Sequence, residues 1–191
     1  MTERPSPIRT PDVEAALALQ PVSPPDFAAV FEAHFDWVWS TLRRLGIPER
    51  DCDDAAQNVF VAVFRRLADY DPVRPMKPWL FGFALRTASD YRRTAKNREE
   101  PQADPPARSG GLAADAQAMA REDRALVLEA LGAVDDDRRA VFVLHEIDEV
   151  PIPQVAEALG IPVNTAYSRL RLGREDFRAA VRRIRARTGG A

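Results

Sequence analysis

Apolar residues in this chain recur at three- and four-residue steps, and no segment alternates apolar with polar residues convincingly. That period predicts helices, because a half-buried strand would place its apolar groups at every second position. Phe27, Val30, Phe31, Phe35, Val38, Leu42 and Leu45 share one helical face. Ala56, Val59, Phe60, Val63, Phe64 and Leu67 form a second stripe, and Trp79, Leu80, Phe83, Ala84, Thr87, Ala88 and Tyr91 a third. Gly46 and Pro48 end the first helix, and Asp51 stands where it can cap the next. Later groups at Leu126, Leu128, Leu131 and Val134, then at Val141, Phe142, Leu144 and Ile147, repeat the pattern.

Proline and glycine divide the chain. Residues 1–25 carry Pro5, Pro7, Pro11, Pro21, Pro24 and Pro25, and are expected to form a disordered N-terminal extension. Pro101, Pro105, Pro106, Gly110 and Gly111 mark a linker over residues 99–117. The expected fold is all-α, with two small helical domains, 26–98 and 118–187, joined by that flexible linker.

Composition narrows the chemistry. Cys52 is the single cysteine, so neither an intramolecular disulfide nor a cysteine-based zinc site can form. His34 and His145 are too few for a histidine-rich metal site, and no nucleophile–base pair can be argued from them. No metal, cofactor or catalytic residue is expected. There is no apolar run of about 18 residues and no secretory signal pattern, so a soluble cytoplasmic protein is the simplest expectation.

The net charge of -2 hides a segregation. Between Val73 and Arg98 stand Arg74, Lys77, Arg86, Arg92, Arg93, Lys96 and Arg98 against the single acid Asp90. From Pro162 onward eight arginines face only Glu175 and Asp176. The stretch between is acidic. Two basic islands point to two anion-binding surfaces.

The later island follows a helix-turn-helix pattern from Ile152 to Arg174. Ala156 is small enough to stand where two helices cross, and Gly160 tolerates the positive φ of a turn. Val155, Leu159, Ile161, Ala166 and Leu170 can fill the space between the helices. Asn164, Thr165, Tyr167, Ser168, Arg169, Arg171 and Arg174 belong to types that hydrogen-bond bases and phosphates. An ordinary helical hairpin with a solvated arginine face would carry the same residues.

Two more segments stand out. Asp51, Asp54, Gln57 and Phe60 lie at three-residue steps at the start of the second helix, giving a polar face that could dock a partner. On physical grounds alone, aspartates complementing the helix dipole are the better explanation of that segment. From Tyr70 to Arg98, basic residues interleave with aromatics, as a surface that holds unstacked bases requires. The spacing of Trp79, Leu80 and Phe83 assigns those residues mainly to packing. Tyr70, Arg74, Lys77, Arg86, Arg92 and Arg93 are the better contact candidates. An autonomous helix-turn-helix regulator, or an enzyme using the Asp51–Asp54 cluster with a metal, would also fit these residues.

Taken in order, the motifs resemble the RNA polymerase sigma-70 superfamily, specifically its extracytoplasmic-function (ECF) group. Asp51-x-x-Asp54-x-x-Gln57-x-x-Phe60 is similar to the family's region-two helix that binds core RNA polymerase. Tyr70-Asp71-Pro72 through Trp79-Leu80-Phe81 is similar to the element that melts and reads the minus-ten promoter element. Ala156 to Thr165, with Ser168-Arg169-Leu170, is similar to the region-four helix-turn-helix that reads the minus-thirty-five element. The resemblance implies a non-enzymatic alternative sigma factor, with core polymerase, promoter DNA and an anti-sigma factor as partners. Tyr167 stands where a lysine or arginine is usual, Ala166 where a branched apolar residue is usual, and Gly82 lies inside a helix that seldom carries glycine.

Overall fold

The computed structural model describes residues 25–96 and 114–188, and every regular element among them is helical. The expectation of an all-α fold holds. The N-terminal extension, but for its last residue, and most of the expected linker lie outside the described residues.

The first unit is three helices with their apolar stripes turned together. Helix α1 spans Phe27–Arg44, and Asp26 accepts a hydrogen bond from the Ala29 N–H at its start. A single 3-10 turn, Glu49–Asp51, leads into α2, Cys52–Arg66. Helix α3 runs Met76–Lys96, three residues earlier than Trp79, where its apolar stripe begins. Pro75 and Pro78 do not prevent this early start, because first-turn N–H groups have no intrahelical partner to lose. Val38, Leu42, Leu45, Ile47, Val59, Phe60, Val63, Leu80 and Phe81 fill the space between these helices.

The expected cap at Asp51 does not form. Its backbone is already helical (φ -105°, ψ -2°), so the side chain is not aimed at the first-turn N–H groups. It accepts instead from the Tyr91 hydroxyl on α3 at 2.6 Å. Phe81, outside the predicted stripe, is fully buried. Helix α3 packs against α1, α2 and a helix of the second unit, so its apolar arc is wider than a single stripe.

The second unit is built around its last helix. Helix α4 spans Ala114–Gly132 and begins inside the stretch read as linker. Proline and glycine punctuation stops at Gly111, and the residues beyond favour helix. Helix α5, Asp136–Phe142, is capped by Asp135 and continues into a wider π turn, Val143–Ile147. Helix α6, Ile152–Leu159, ends at Gly160 in the left-handed conformation (φ 64°). Helix α7, Val163–Thr188, packs against α4, α5 and α6, with Phe177 stacked on Phe142 at 4.9 Å.

The two units are in direct contact. Helix α6 lies on α3, α4 touches α1, and one cluster of buried apolar residues includes members of both units.

Phe60 is 2% exposed and is ringed by Phe27, Phe31 and Phe35. Phe60→Ala is expected to cost about 3–5 kcal/mol of stability through the cavity it leaves. Val61→Ala, at the exposed neighbouring position, should cost less than about 0.5 kcal/mol. Urea unfolding of the two variants tests the contrast.

Candidate nucleic-acid and protein interfaces

Helices α6 and α7 meet as the sequence pattern requires. Ala156 and Ala166 are buried at the crossing, and the Ile161 N–H donates to the Ala156 carbonyl at 2.9 Å across the turn. The αL conformation at Gly160 reverses the chain without a Cβ penalty. Asn164, Tyr167, Ser168 and Arg171 are exposed along one edge of α7, with Tyr167 at 56%. Thr165, Arg169 and Arg174 are half-buried at the flanks of that edge.

The arginines of this edge are held by nearby acids. Arg169 pairs with Asp137, Arg171 with Glu175 at 2.8 Å, and Arg174 donates through Nε and Nη2 to Glu146. Arg138 pairs with Asp176 at 2.8 Å, and this hydrogen bond raises its pKa above the usual guanidinium value. These exposed or half-exposed pairs are weak in water, so they orient the guanidinium groups and can be exchanged for phosphate oxygens. Further along α7, Arg178, Arg182, Arg183 and Arg185 are exposed as well.

On α2 the structure separates the predicted face into two parts. Asp54 and Gln57 are exposed, Asp51 is bound to Tyr91, and Phe60 belongs to the core. Phe60 therefore acts on this surface only by supporting it. The apolar part of the surface comes from two residues the motif did not include, Val61 at 50% and Phe64 at 65% exposure. Asp54, Gln57, Val61 and Phe64 follow helical spacing down one side of α2. Helical spacing puts Phe64 in the apolar stripe of α2, and only its exposed position distinguishes it. Asp53, beside this edge, accepts from Trp39 Nε1 at 2.9 Å.

The loop between α2 and α3 is braced. The Asp71 carboxylate accepts from the Val73 N–H, the Arg74 N–H donates to the Asp71 carbonyl, and the Tyr70 hydroxyl donates to the Arg74 carbonyl. The Tyr70 ring packs on Trp79 at 4.9 Å and is only 9% exposed. Burial pushes the Tyr70 hydroxyl pKa up, with the Asp71 carboxylate adding to it. Tyr70 was expected to contact DNA. Its burial makes it a support for the loop, whose outermost side chain is Val73, 90% exposed. Among the other predicted contacts, Arg86 is exposed, Lys77 lies 5.9 Å from the Trp37 ring, and Arg93 pairs with Asp90 on its own helix. Arg74 and Arg92 are turned to acids of the second unit, Glu157 and Asp136, at 3.0 and 2.9 Å.

The architecture defines a class: a helical protein carrying a helix-turn-helix in one unit and a braced, cation-edged loop in the other. Residues 30–98 match the family model for sigma-70 region 2, and residues 124–177 that for sigma-70 region 4. RNA polymerase sigma factor CnrH of Cupriavidus metallidurans is 36% identical over 138 residues, covering 67% of this chain and 72% of that protein. The ECF RNA polymerase sigma factor SigW of Bacillus subtilis is 28% identical, covering 82% of this chain and 89% of that protein. Among solved structures, CnrH in complex with the cytosolic domain of CnrY superposes with a TM-score of 0.60 at 30% identity, covering 80% of this chain and 85% of that one. A sigma factor from Bartonella quintana, RpoE, solved with the anti-sigma factor NepR, shares the fold at a TM-score of 0.61 and 19% identity, covering 82% of this chain and 97% of that one. The chain belongs to the sigma-70 family, in its extracytoplasmic-function group, and is an alternative sigma factor of transcription initiation. That family is not a class of enzymes. Among the described residues no group of acids, histidines and cysteines is placed to hold a metal, and no helix is long and apolar enough to cross a membrane.

The Tyr70 brace gives a direct test. Tyr70→Phe keeps the ring and removes only the hydroxyl, so it should cost about 0.5–1.5 kcal/mol. Amide exchange should rise at Asp71, Val73 and Arg74 in the loop while that of α3 is unchanged.

Proposed function

We propose that the chain docks on core RNA polymerase through the α2 edge of Asp54, Gln57, Val61 and Phe64. The observation that carries this reading is the exposure of Val61 and Phe64 beside acidic and amide groups, on a helix whose other side is buried. Large apolar side chains left together on a surface mark a partner site. In the resembling family the matching helix is the polymerase-binding one.

The braced loop after Tyr70 and the outer side of α3 then take the minus-ten element, with Arg74, Lys77, Arg86, Arg92 and Arg93 neutralising the backbone around an unstacked base. Extruding one base costs only a few kcal/mol, which a shaped, cationic surface can offset. The edge of Asn164, Thr165, Tyr167, Ser168, Arg169, Arg171 and Arg174 enters the major groove at the minus-thirty-five element. Each surface is small, so specificity depends on tethering both to one polymerase, which raises the effective concentration of each at its element. An anti-sigma factor is the proposed regulator, since the solved RpoE was captured with the anti-sigma factor NepR. The proposed site of action is the cytoplasm.

Asp54→Ala with Gln57→Ala should lower retention on immobilised core polymerase by about tenfold or more, a loss of roughly 1.4 kcal/mol or more. Arg171→Ala should leave retention unchanged and weaken transcription from a cognate promoter by a similar factor. Equal loss of polymerase binding by both variants would show that the surfaces are wrongly assigned.

A further inference from the structure

Helix α7 continues well past its reading turns, and its exposed edge continues with it. From Arg171 a row runs on through Glu175, Arg178, Arg182 and Arg185 at alternating four- and three-residue steps, and all of these are exposed. Asn164 and Ser168 begin the same row. The opposite side of the helix is held in the core by Ala166, Leu170, Gly173 and Ala180. From Asn164 to Arg185 the row is roughly 32 Å long, at a rise of about 1.5 Å per residue. From Phe177 onward the sequence carries Arg178, Arg182, Arg183, Arg185 and Arg187 and no acid. These arginines lie beyond residues 124–177, which match the region 4 model.

The cations of α7 divide at Glu175. Before it, Arg169, Arg171 and Arg174 are each held by an acid: Asp137, Glu175 and Glu146. Beyond it, Arg178, Arg182 and Arg185 have no acidic partner among the described residues. Arg187, off the row, turns to Glu129 at 2.6 Å. Cations in the last turn of a helix favour its dipole, which accounts for Arg185 and Arg187. The dipole does not account for Arg178 and Arg182, which precede that turn and, one turn apart, repel each other. DNA geometry does. The major groove is about 12 Å wide. The turns from Asn164 to Arg171 span roughly 10 Å and fill that width. Arg178 and Arg182 stand roughly 21 and 27 Å from Asn164 along the axis, past the groove wall, where a straight helix lies over the phosphate ridge.

We propose that Arg178, Arg182 and Arg185 form a phosphate grip: they take the DNA backbone flanking the minus-thirty-five element, outside the bases that the reading turns contact. Guanidinium groups with no acidic partner meet phosphate without first giving up an ion pair, unlike Arg169, Arg171 and Arg174. The grip carries no base information, so it strengthens binding equally on every sequence and makes binding more sensitive to salt. It offsets the shortage of unengaged cations in the reading turns, where the exposed Tyr167 offers none. The inference rests on the functional reading above, which places Asn164 to Arg174 in the major groove, and its test separates the two.

The test is equilibrium binding of the full chain, assembled with core polymerase, to promoter duplex over a range of salt. Two variants remove the same charge from the same end of the helix. Arg178→Gln with Arg182→Gln lies on the row, and Arg183→Gln with Arg187→Gln lies off it; all four positions are exposed. The row variant should bind about tenfold more weakly at low salt than the off-row variant, and its slope of log K against log salt should be shallower by about 1.8, from two phosphates at about 0.9 each. The loss should be the same factor on a duplex whose minus-thirty-five element is scrambled. It should vanish on a short duplex trimmed to that element on both sides. A row variant that binds like the off-row variant, or that keeps its deficit on the trimmed duplex, overturns the proposal. So does a row variant that loses retention on immobilised core polymerase, because its arginines then face protein. Asn164→Ala reports on the functional reading: it should narrow the preference for the intact element over the scrambled one and leave the salt slope unchanged. An unchanged preference in that variant overturns the functional reading instead, while the salt slope of the row variant still decides the grip.

Discussion

The main-chain carbonyl of Leu45 is the point at which the two halves of the molecule meet. The last carbonyls of a helix have no intrahelical donor, and they carry the negative end of the helix dipole. At Leu45 that vacancy is filled by two guanidinium groups, Arg92 from α3 and Arg139 from α5. One oxygen therefore ties the end of α1 to its own bundle and to the second unit. Gly46 is the sequence condition for this arrangement, since its positive φ turns the chain away and its missing Cβ leaves the space that Arg139 enters. Desolvation lowers the pKa of Arg139 and Asp136 opposes that shift, so an adjacent carboxylate partly compensates the buried cation.

Asp148 shows the reciprocal case. Burial pushes its carboxyl pKa up, against the Trp37 and Arg44 donors that favour the charged form. A carboxylate placed there gains direction from the indole N–H more than it gains stability, because one of its oxygens is left unpaired. Apolar burial supplies the attraction between the units, and the Arg139 and Asp148 contacts set the register in which they meet. That division follows from magnitudes: exposed pairs such as Arg74–Glu157 contribute at most about 1 kcal/mol, while a fully buried leucine or valine contributes about 1.5–3 kcal/mol.

Periodicity made the helices legible, and glycine and proline made their ends legible to within a few residues. The helix-turn-helix was readable because its constraints are local: a small residue, an αL turn and apolar filling within about twenty positions. What was not legible shares one cause. The hydrogen bond of Asp51 and the burial of Phe60 and Tyr70 do not follow from their neighbourhoods in sequence. Each is decided by a partner elsewhere: Tyr91 forty positions away, Phe27 to Phe35 on another helix, and Trp79 across a loop. Arg139 and Asp148 gave no signal at all, since a buried charge looks like a surface charge until its distant partners are placed. Charge segregation predicted two basic surfaces, but not that acids of the second unit would reach one of them.

That last point changes how the acidic stretch between the islands is understood. As composition it only lowers the net charge. In the fold, Asp136, Asp137, Glu146, Asp148 and Glu157 each sit against an arginine, and three of those arginines belong to the first unit. Acids placed this way act as internal competitors for phosphate. A phosphate can displace an exposed carboxylate at little cost, because a half-exposed ion pair is weak in water. It cannot displace Asp148 without separating the units, because that carboxylate is held inside the contact. The exposed pairs of α7 are therefore open to exchange with phosphate, whereas Asp148 is fixed inside the contact between the units. A single sequence segment supplies both kinds of acid, and burial alone separates their roles.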